Sequence, residues 1–320
     1  MLRGADVSLL TFLILLLAFS LFVVGPFLWV AFQEFVSVRD AILMTLVAVV
    51  SQRKRALTLE GTFAALVLGL VCLQAFSIGF FLSLLLFLAG GTFATKLNKL
   101  NASAEFSDDH KGRNAAQVLC NCLVPLGIGL FIVGCRVHSL FFQTELMTNK
   151  LVRTLEYIAL SSVASAFGDT LASDLGSMSK SPPVLLSLDP HPPYISARAV
   201  PVGTNGAVTF AGTAWSAAAG GMLFVLWMAV NFTRRDLVVA FVSTVIAAPF
   251  GSVVDSILGR YFQETRASHG KVLKAGEVSE DAEIVCGEPY LDNDMVNLSS
   301  QVLTALFLAR VSAEPYYFSA

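Results

Sequence analysis

The chain of 320 residues is 55% hydrophobic and only 14% charged, with a net charge of −2 and a mean hydropathy of +0.71. A soluble domain carries about 25% charged residues, so this composition excludes an ordinary soluble protein, and the near-neutral charge gives no basic footprint for nucleic acid. Because the apolar residues fall in long blocks, the sequence predicts an all-α, polytopic integral membrane protein with about seven to nine transmembrane helices.

The first 52 residues are predicted to form N-terminal membrane helices. Residues 7–32 are almost continuously apolar, which is longer than the core of a signal peptide, and no clean small-residue cleavage site follows them. A shorter apolar segment covers residues 35–51 and leads into the basic triplet Arg53-Lys54-Arg55.

The apolar stretch 61–95 is too long for one crossing, because a helix needs only about 20 residues to span the hydrocarbon core. The polar or small residues Gln74, Ser77 and Gly79 lie in its middle. We therefore predict a hairpin of two tightly joined helices in this stretch.

The rest of the chain predicts five further helices, which brings the total to about nine. These helices cover residues 115–135, 154–170, 207–230, 237–258 and 294–311. Hydrophilic loops cover residues 96–113, 177–206, which is rich in Pro and Ser, and 260–290, and a loop of mixed character covers residues 136–153. Residues 53–311 are thus predicted to form a single transmembrane domain, followed by a short tail, 312–320.

The distribution of basic residues orients the predicted helices. If the membrane side alternates along the chain, the N-terminus shares its side with most of the 21 Lys and Arg residues, including those of loops 96–113 and 260–290. The positive-inside rule makes this side cytoplasmic. A single helix over residues 61–95 would divide the basic loops between the two sides, which favours the hairpin.

The first of five polar clusters on this side follows the hairpin. Lys96, Lys111 and Arg113 precede a helix on which three carboxamides share one face, namely Asn114, Gln117 and Asn121. The carboxamides could bond to neighbouring helices, at about 0.6 kcal/mol for each contact. Alternatively, they could join the three cations in binding a phosphate or a lipid headgroup. The spacing leaves both interpretations open.

The second cluster is a pair of carboxylates, Asp169 and Asp174, at the edge of the apolar run 158–167. Charge near a bilayer is expensive, so such a pair usually has a partner or a function. Mg²⁺ typically uses one or two carboxylates together with substrate phosphates. The pair is therefore either a solvated helix end or an anchor for Mg²⁺ and phosphate.

The third cluster is the turn Gly203-Thr204-Asn205-Gly206, which precedes a predicted helix. Glycine permits positive φ angles, and a helix N-terminus presents free N–H groups, so the two together can bind an anion. An ordinary capped turn would have the same sequence.

The last two clusters lie at helix ends. Asp255, Gly259 and Gln263 are spaced to form one polar stripe at the end of the eighth predicted helix. The segment Asp292-Asn293-Asp294 opens the last helix, where Asp294 could simply be the N-cap, and Asn297 lies one turn further on.

Five such clusters on one side favour a membrane enzyme that acts on a lipid with a phosphorylated head. A transporter more often places its polar groups near the bilayer midplane, at broken helices related by a repeat, and the sequence shows no such repeat.

Six blocks that contain these clusters resemble the signature of the transmembrane protein 19 family. In matching order between about Arg53 and Leu308, they are residues 91–97, 112–118, 168–176, 201–206, 255–259 and 291–293. This family includes the plastid phytyl-phosphate kinase of tocopherol synthesis. Two positions depart from the family pattern without loss of charge, because Asp174 replaces the commoner Glu and Ala207 replaces the usual Gly.

The resemblance implies that residues 53–311 are a catalytic domain that transfers a phosphoryl group from a nucleoside triphosphate, with CTP a plausible donor, to phytyl, farnesyl or geranylgeranyl monophosphate. Mg²⁺ would assist. The catalytic carboxylates would be Asp169, Asp174, Asp255 and Asp292, with the first three as candidate metal ligands. The lipid and nucleotide phosphates would be bound by Lys96, Lys111, Arg113, Asn114, Gln117, Gly203, Thr204, Asn205, Gly206 and Asn293.

Two other functions stay open. One is a membrane carrier for a prenyl phosphate or another small anion, and the other is a non-catalytic membrane scaffold. The N-terminus is unlike a transit peptide and the chain carries no retention signal, so an internal endomembrane such as the ER and the plastid envelope both fit.

Overall fold

The computed structural model describes residues 37–101, 112–188, 195–231, 237–273, 277 and 279–312. The predicted first helix, 7–32, and Lys111 lie outside these residues. Within them the chain forms eight helices, each in the place of a predicted one: α1 Val38–Arg53, α2 Leu59–Ala75, α3 Ile78–Asn101, α4 Ala115–Phe142, α5 Asn149–Gly176, α6 Phe210–Asn231, α7 Leu237–Phe262 and α8 Asn293–Ser312.

Four of these helices, α3, α4, α6 and α7, are long and apolar enough to cross a membrane. This confirms a largely helical membrane protein, while the total of seven to nine crossings stays a prediction. Many large apolar side chains point outward, for example Phe63, Phe131 and Val225, as expected for helices that face lipid.

The predicted hairpin is confirmed, because the helix breaks at Phe76 and Ser77. Phe76 has extended backbone angles, so the chain leaves α2 at this residue. A residue far away in the sequence caps the first turn of α3, since the Ser77 N–H donates to Glu156 Oε1 of α5 at 2.7 Å. A helix start needs such acceptors for its free N–H groups, and a buried carboxylate supplies one here.

Helix α5 is the centre of the bundle and packs against α3, α4, α6, α7 and α8. Its middle is almost entirely buried and consists largely of small residues such as Ala164 and Ser165. Small side chains let membrane helices approach closely. The helix begins at Asn149, five residues before the prediction, because Thr148 caps it by accepting from Leu151 N. The predicted loop 136–153 is correspondingly shorter.

Helices α4 and α7 are both irregular. Pro125 lies inside α4, and Cys122 just before it leaves the helical conformation, because proline removes a backbone hydrogen bond and clashes with the preceding turn. Helix α7 contains a π-helical turn, Val242–Ile246, and the backbone of this turn packs directly on Gly220 of α6.

Two small antiparallel sheets lie mainly in the predicted loops 177–206 and 260–290, and β3 takes up the first two residues of the predicted helix 207–230, which begins at Phe210 instead. The first consists of β1 Val184–Leu188, β2 Ile195–Ala199 and β3 Ala207–Val208, and the second of β4 Thr265–Ser268, β5 Lys271–Val272 and β6 Glu283–Cys286. The sequence had predicted only hydrophilic loops there, without strands. Strands this short carry too little periodicity to be recognised, and distant segments must pair to form them, as when Leu185 pairs with Ala207.

Candidate functional site

A polar cavity of about 710 Å³ lies at one end of the bundle. Helices α1, α3, α5 and α7 end here, and α2, α4, α6 and α8 begin here, so the ends of all eight helices lie around the cavity. Residues from each of the five predicted clusters line it. The predicted gathering of the clusters at one end is therefore what the fold produces.

One wall of the cavity is basic. Its cations are Lys54 and Arg55 after α1, Lys96 and Lys99 near the end of α3, and Arg113 before α4. Lys96 Nζ donates to Lys54 O at 2.7 Å, which ties the end of α3 to the segment after α1. The wall can therefore attract an anion with charges from three separate parts of the chain.

Backbone pairing fixes the position of Arg113. Its N–H donates to Ala56 O at 3.0 Å, and its carbonyl accepts from Thr58 N at 3.0 Å, so the segments before α2 and before α4 run side by side. A Cβ at Gly112 would come within 2.5 Å of Leu57 N. Only glycine allows this approach, which explains why the residue before Arg113 has no side chain.

The guanidinium of Arg113 is turned inward over the ring of Phe87, with its Cζ 5.5 Å from the ring centre. Gly91 leaves room for it, since a Cβ there would lie 2.6 Å from Nη2. Burial lowers the pKa of Arg113 below its ordinary value, while the nearby Asp174 carboxylate acts in the opposite direction. Arginine stays protonated in proteins, so Arg113 brings a fixed positive charge to the cavity.

The cavity lining also includes two carboxylates on different helices, Asp169 of α5 and Asp255 of α7. Ser252 Oγ lies 3.5 Å from Asp169 Oδ1, and Ser300 Oγ donates to Asp255 Oδ2 at 3.2 Å. The carboxylates are close enough to repel each other electrostatically. Such a pair is favourable when a cation shares it.

Asp174, which the sequence paired with Asp169, has different partners. Its Oδ2 accepts from Thr95 Oγ1 at 2.6 Å and its Oδ1 lies 3.4 Å from Asn98 Nδ2, both on α3. It lines the cavity, but its hydrogen bonds hold α5 against α3, and its charge faces Arg113. Asp174 therefore braces α5 against α3 and balances the charge of Arg113, and its carboxylate also acts electrostatically on Asp169.

The turn Gly203-Thr204-Asn205-Gly206 also lines the cavity, but it does not lead directly into a helix. Strand β3 follows it, and α6 begins only at Phe210. The carboxamide of Asn205 donates to Glu264 O at 3.2 Å and its N–H to Thr265 Oγ1 at 3.1 Å. The turn therefore anchors the second sheet, which leaves less of it for an anion than the sequence predicted.

Gly206 is expected to be essential for this turn. Both Gly203 and Gly206 have positive φ, but a Cβ at Gly206 would come within 2.3 Å of Ser256 O, whereas at Gly203 the nearest atom, in Val272, is 3.8 Å away. Gly206→Ala should therefore lower the thermal unfolding temperature of the purified protein more than Gly203→Ala, whose backbone strain alone costs about 1–2 kcal/mol. Equal losses for the two variants would contradict the close approach.

Two predicted site residues act as helix caps. Asn114 Oδ1 accepts from Gln117 N, and the Gln117 side chain accepts from Asn114 N, which makes a capping box at the start of α4. Gln117 still lines the cavity and Asn114 does not. Asp292 caps α8 by accepting from Met295 N at 2.8 Å, and it too lies outside the cavity wall.

Asp292 is thus the cap of α8. The sequence had suggested Asp294 for this position. Because α8 begins at Asn293, Asp294 lies in its first turn and lines the cavity with Asn293 and Asn297. Successive helix residues differ by 100° in direction, so a shift of two residues in the cap changes which carboxylate reaches the site.

Several residues that line the cavity were not among the predicted site residues. Ser252 lies three residues before Asp255, and Lys54 and Arg55 belong to the basic triplet, so these had a signal in the sequence. Ser216 had none. Its hydroxyl lies in the cavity wall of α6, fully buried and without a hydrogen-bond partner. An unsatisfied buried hydroxyl is costly, and a bound ligand could satisfy it.

The donors in the wall fit a Mg²⁺ ion only if phosphates complete the coordination. Mg²⁺ takes oxygen ligands, usually one or two carboxylates together with substrate phosphates, and Asp169 and Asp255 can supply the carboxylates. Over the described ranges, no three His, Cys, Asp or Glu side chains come together as a metal site. The predicted metal set Asp169, Asp174 and Asp255 therefore stays a prediction.

Comparison with known proteins places the chain in a family. The family profile described as "Integral membrane protein DUF92" matches residues 42–305, a range that contains the whole cavity wall. The chain belongs to the DUF92 family of integral membrane proteins. A relative of this DUF92 protein is Protein PGR of Arabidopsis thaliana, 28% identical over 289 residues that cover 85% of this chain and 94% of PGR. No solved structure matches the chain.

These matches confirm the predicted resemblance to the transmembrane protein 19 family. They also confirm that this DUF92 protein is an integral, multi-pass membrane protein. Neither the family description nor the name of PGR specifies a reaction.

Proposed function

We propose that this protein is a membrane-embedded isoprenyl-phosphate kinase. It would convert phytyl, farnesyl or geranylgeranyl monophosphate to the diphosphate with a nucleoside triphosphate, of which CTP is the first candidate, and Mg²⁺. The observation that supports this most is the polarity of the cavity. The lining of this cavity combines several cations, among them Arg113, with the carboxylates Asp169 and Asp255, at the end of a bundle whose sides are apolar.

The proposed reaction needs positioning more than covalent help from the protein. A terminal oxygen of the lipid phosphate attacks the γ-phosphorus of the nucleotide. The bond from that phosphorus to the bridging oxygen breaks, and the nucleoside diphosphate leaves. The attacking group is already an anion, so a strong general base is not required. Mg²⁺, when bound, would neutralise charge on the transferred group.

Different side chains of the cavity lining would bind the lipid phosphate, the nucleotide and Mg²⁺. Arg113, Lys96 and Lys99 would hold the phosphates of the two substrates, because two anions repel each other unless cations lie between them. Asp169 and Asp255 would bind the nucleotide phosphates through Mg²⁺. Asp174 would keep the Arg113 charge and the end of α3 in place. The buried hydroxyl of Ser216 is a candidate donor to a phosphate oxygen.

The decisive experiment uses the full-length protein, purified in detergent and verified as folded by its thermal transition. It is incubated with farnesyl, geranylgeranyl or phytyl monophosphate, Mg²⁺ and each nucleoside triphosphate in turn. We expect a prenyl diphosphate and one equivalent of nucleoside diphosphate. The absence of both products with every pair of substrates would refute the proposal.

The two alternative functions make different predictions in proteoliposomes and cells. A carrier would take up labelled prenyl phosphate without consuming nucleotide. A scaffold would keep its cellular role after Asp169→Asn. The compartment also belongs to the proposal. An endomembrane such as the ER or the plastid envelope, with the cavity facing the cytoplasmic side, would place the site where nucleotides are available.

A further inference from the structure

A second, apolar pocket adjoins the polar cavity through Arg113, Gln117 and Asn121, which line both. Its volume is about 70 Å³. The remaining lining is almost entirely apolar and comes from α1, α2, α3 and α4, including Met44, Gly69 and Phe81. One charged side chain therefore stands at the junction between a site for anions and a site for hydrocarbon.

We propose that this pocket binds the start of the hydrocarbon chain of a lipid phosphate whose head lies in the polar cavity. The inference rests on the proposed kinase function and adds the place where the acceptor lipid is recognised. A phosphate bound to Arg113 from the cavity side has its first carbons at the mouth of the pocket. The pocket is too small for a whole prenyl chain, so it encloses only the part next to the phosphate.

The helix packing provides a route for the rest of the chain. Helix α1 packs mainly on α2, and α3 packs mainly on α5. Met44 and Val47 of α1, and Leu85 and Leu88 of α3, are half-buried side chains on the pocket wall. The remaining hydrocarbon can leave the pocket along the seam between α1 and α3, where it meets the apolar outer surface of the bundle.

Gly69 determines how wide the pocket is. A Cβ at this position would lie 3.1 Å from Met44 Sδ and 3.4 Å from Phe81 Cε2, and all three residues line the pocket. Glycine in a helix interior costs roughly 1 kcal/mol relative to alanine, so a larger residue would favour α2 itself. Met44 and Phe81 nevertheless require glycine at this position, because they fill the space that a Cβ would take, and a larger side chain would push them into the pocket.

The test measures the steady-state kinetic parameters of the purified full-length protein separately for the lipid phosphate and for the nucleotide. Gly69→Leu should lower kcat/KM for farnesyl monophosphate at least tenfold and leave the KM of the nucleotide unchanged. Met44→Ala in the same chain should restore much of the lost activity, because it removes the side chain nearest to position 69. The matched control is Gly127→Leu, since Gly127 also lies inside an apolar helix but faces open space.

Three kinetic outcomes would overturn the inference. They are an unchanged lipid kcat/KM in Gly69→Leu, an equal change in the KM of both substrates, and no rescue by Met44→Ala. A binding experiment separates this inference from the kinase proposal. Farnesyl monophosphate with a photoreactive group near its phosphate should label α2 or α3 in the wild-type protein and less in Gly69→Leu, even if no nucleotide is ever consumed. Labelling spread evenly over the outer surface would also overturn it.

Discussion

Asp169→Asn is expected to reduce kcat about 10²- to 10³-fold, the range seen when one preorganised electrostatic group is removed from an active site. The substitution keeps the shape of the side chain and removes its charge. Because Asp169 and Asp255 repel each other, the variant should unfold at the same temperature as the wild type or a higher one. A loss of activity together with retained or increased stability is the signature of a functional carboxylate.

The matched control for this prediction is Asp281→Asn. Asp281 is a surface carboxylate, 3.5 Å from His269, and it lies outside the cavity wall. Exposed pairs of this kind contribute little to stability, so both activity and unfolding temperature should stay at wild-type values. If Asp169→Asn behaved like Asp281→Asn in the kinase assay, the proposed role of the carboxylate pair would be wrong.

Arg113→Gln is expected to lower kcat/KM for the lipid phosphate by roughly 30-fold or more, which corresponds to the ~2 kcal/mol or more lost when a buried charged partner is removed. Arg113→Lys should recover only part of this. Lysine restores the charge, but it lacks the planar fork that binds two phosphate oxygens and stacks on an aromatic ring such as Phe87. Steady-state kinetics with the lipid phosphate varied at saturating nucleotide gives the comparison.

Arg53→Gln controls for the general loss of positive charge at this end of the bundle. Arg53 is exposed at the end of α1 and does not line the cavity, so its removal should change kcat/KM by less than threefold. Equal effects of Arg53→Gln and Arg113→Gln would mean that the cations act as a diffuse field. In that case Arg113 would have no specific contact with the phosphate.

Local features of the sequence were enough to predict the helices. The break at Phe76 and Ser77 was visible because an apolar run of 35 residues cannot be one crossing and polar residues mark its centre. The positions of Arg113, Asp169 and Asp255 at a common end followed from counting crossings. The sheets were not predictable in this way, since the strands of their hairpins are too short to show a period and the third strand of each sheet pairs with a segment about 20 residues away.

The sequence by itself determined that this is a polytopic helical membrane protein whose polar clusters meet at one end, because hydrophobic block length and crossing parity are properties of the linear chain. Only the tertiary structure decided which polar groups line the cavity together and which are engaged in hydrogen bonds that hold the fold. Asp292 and Asn114 cap helices, Asn205 holds a sheet, and Asp174 braces α3. Those assignments depend on helix phase and on partners far away in the sequence, which no spacing rule can supply.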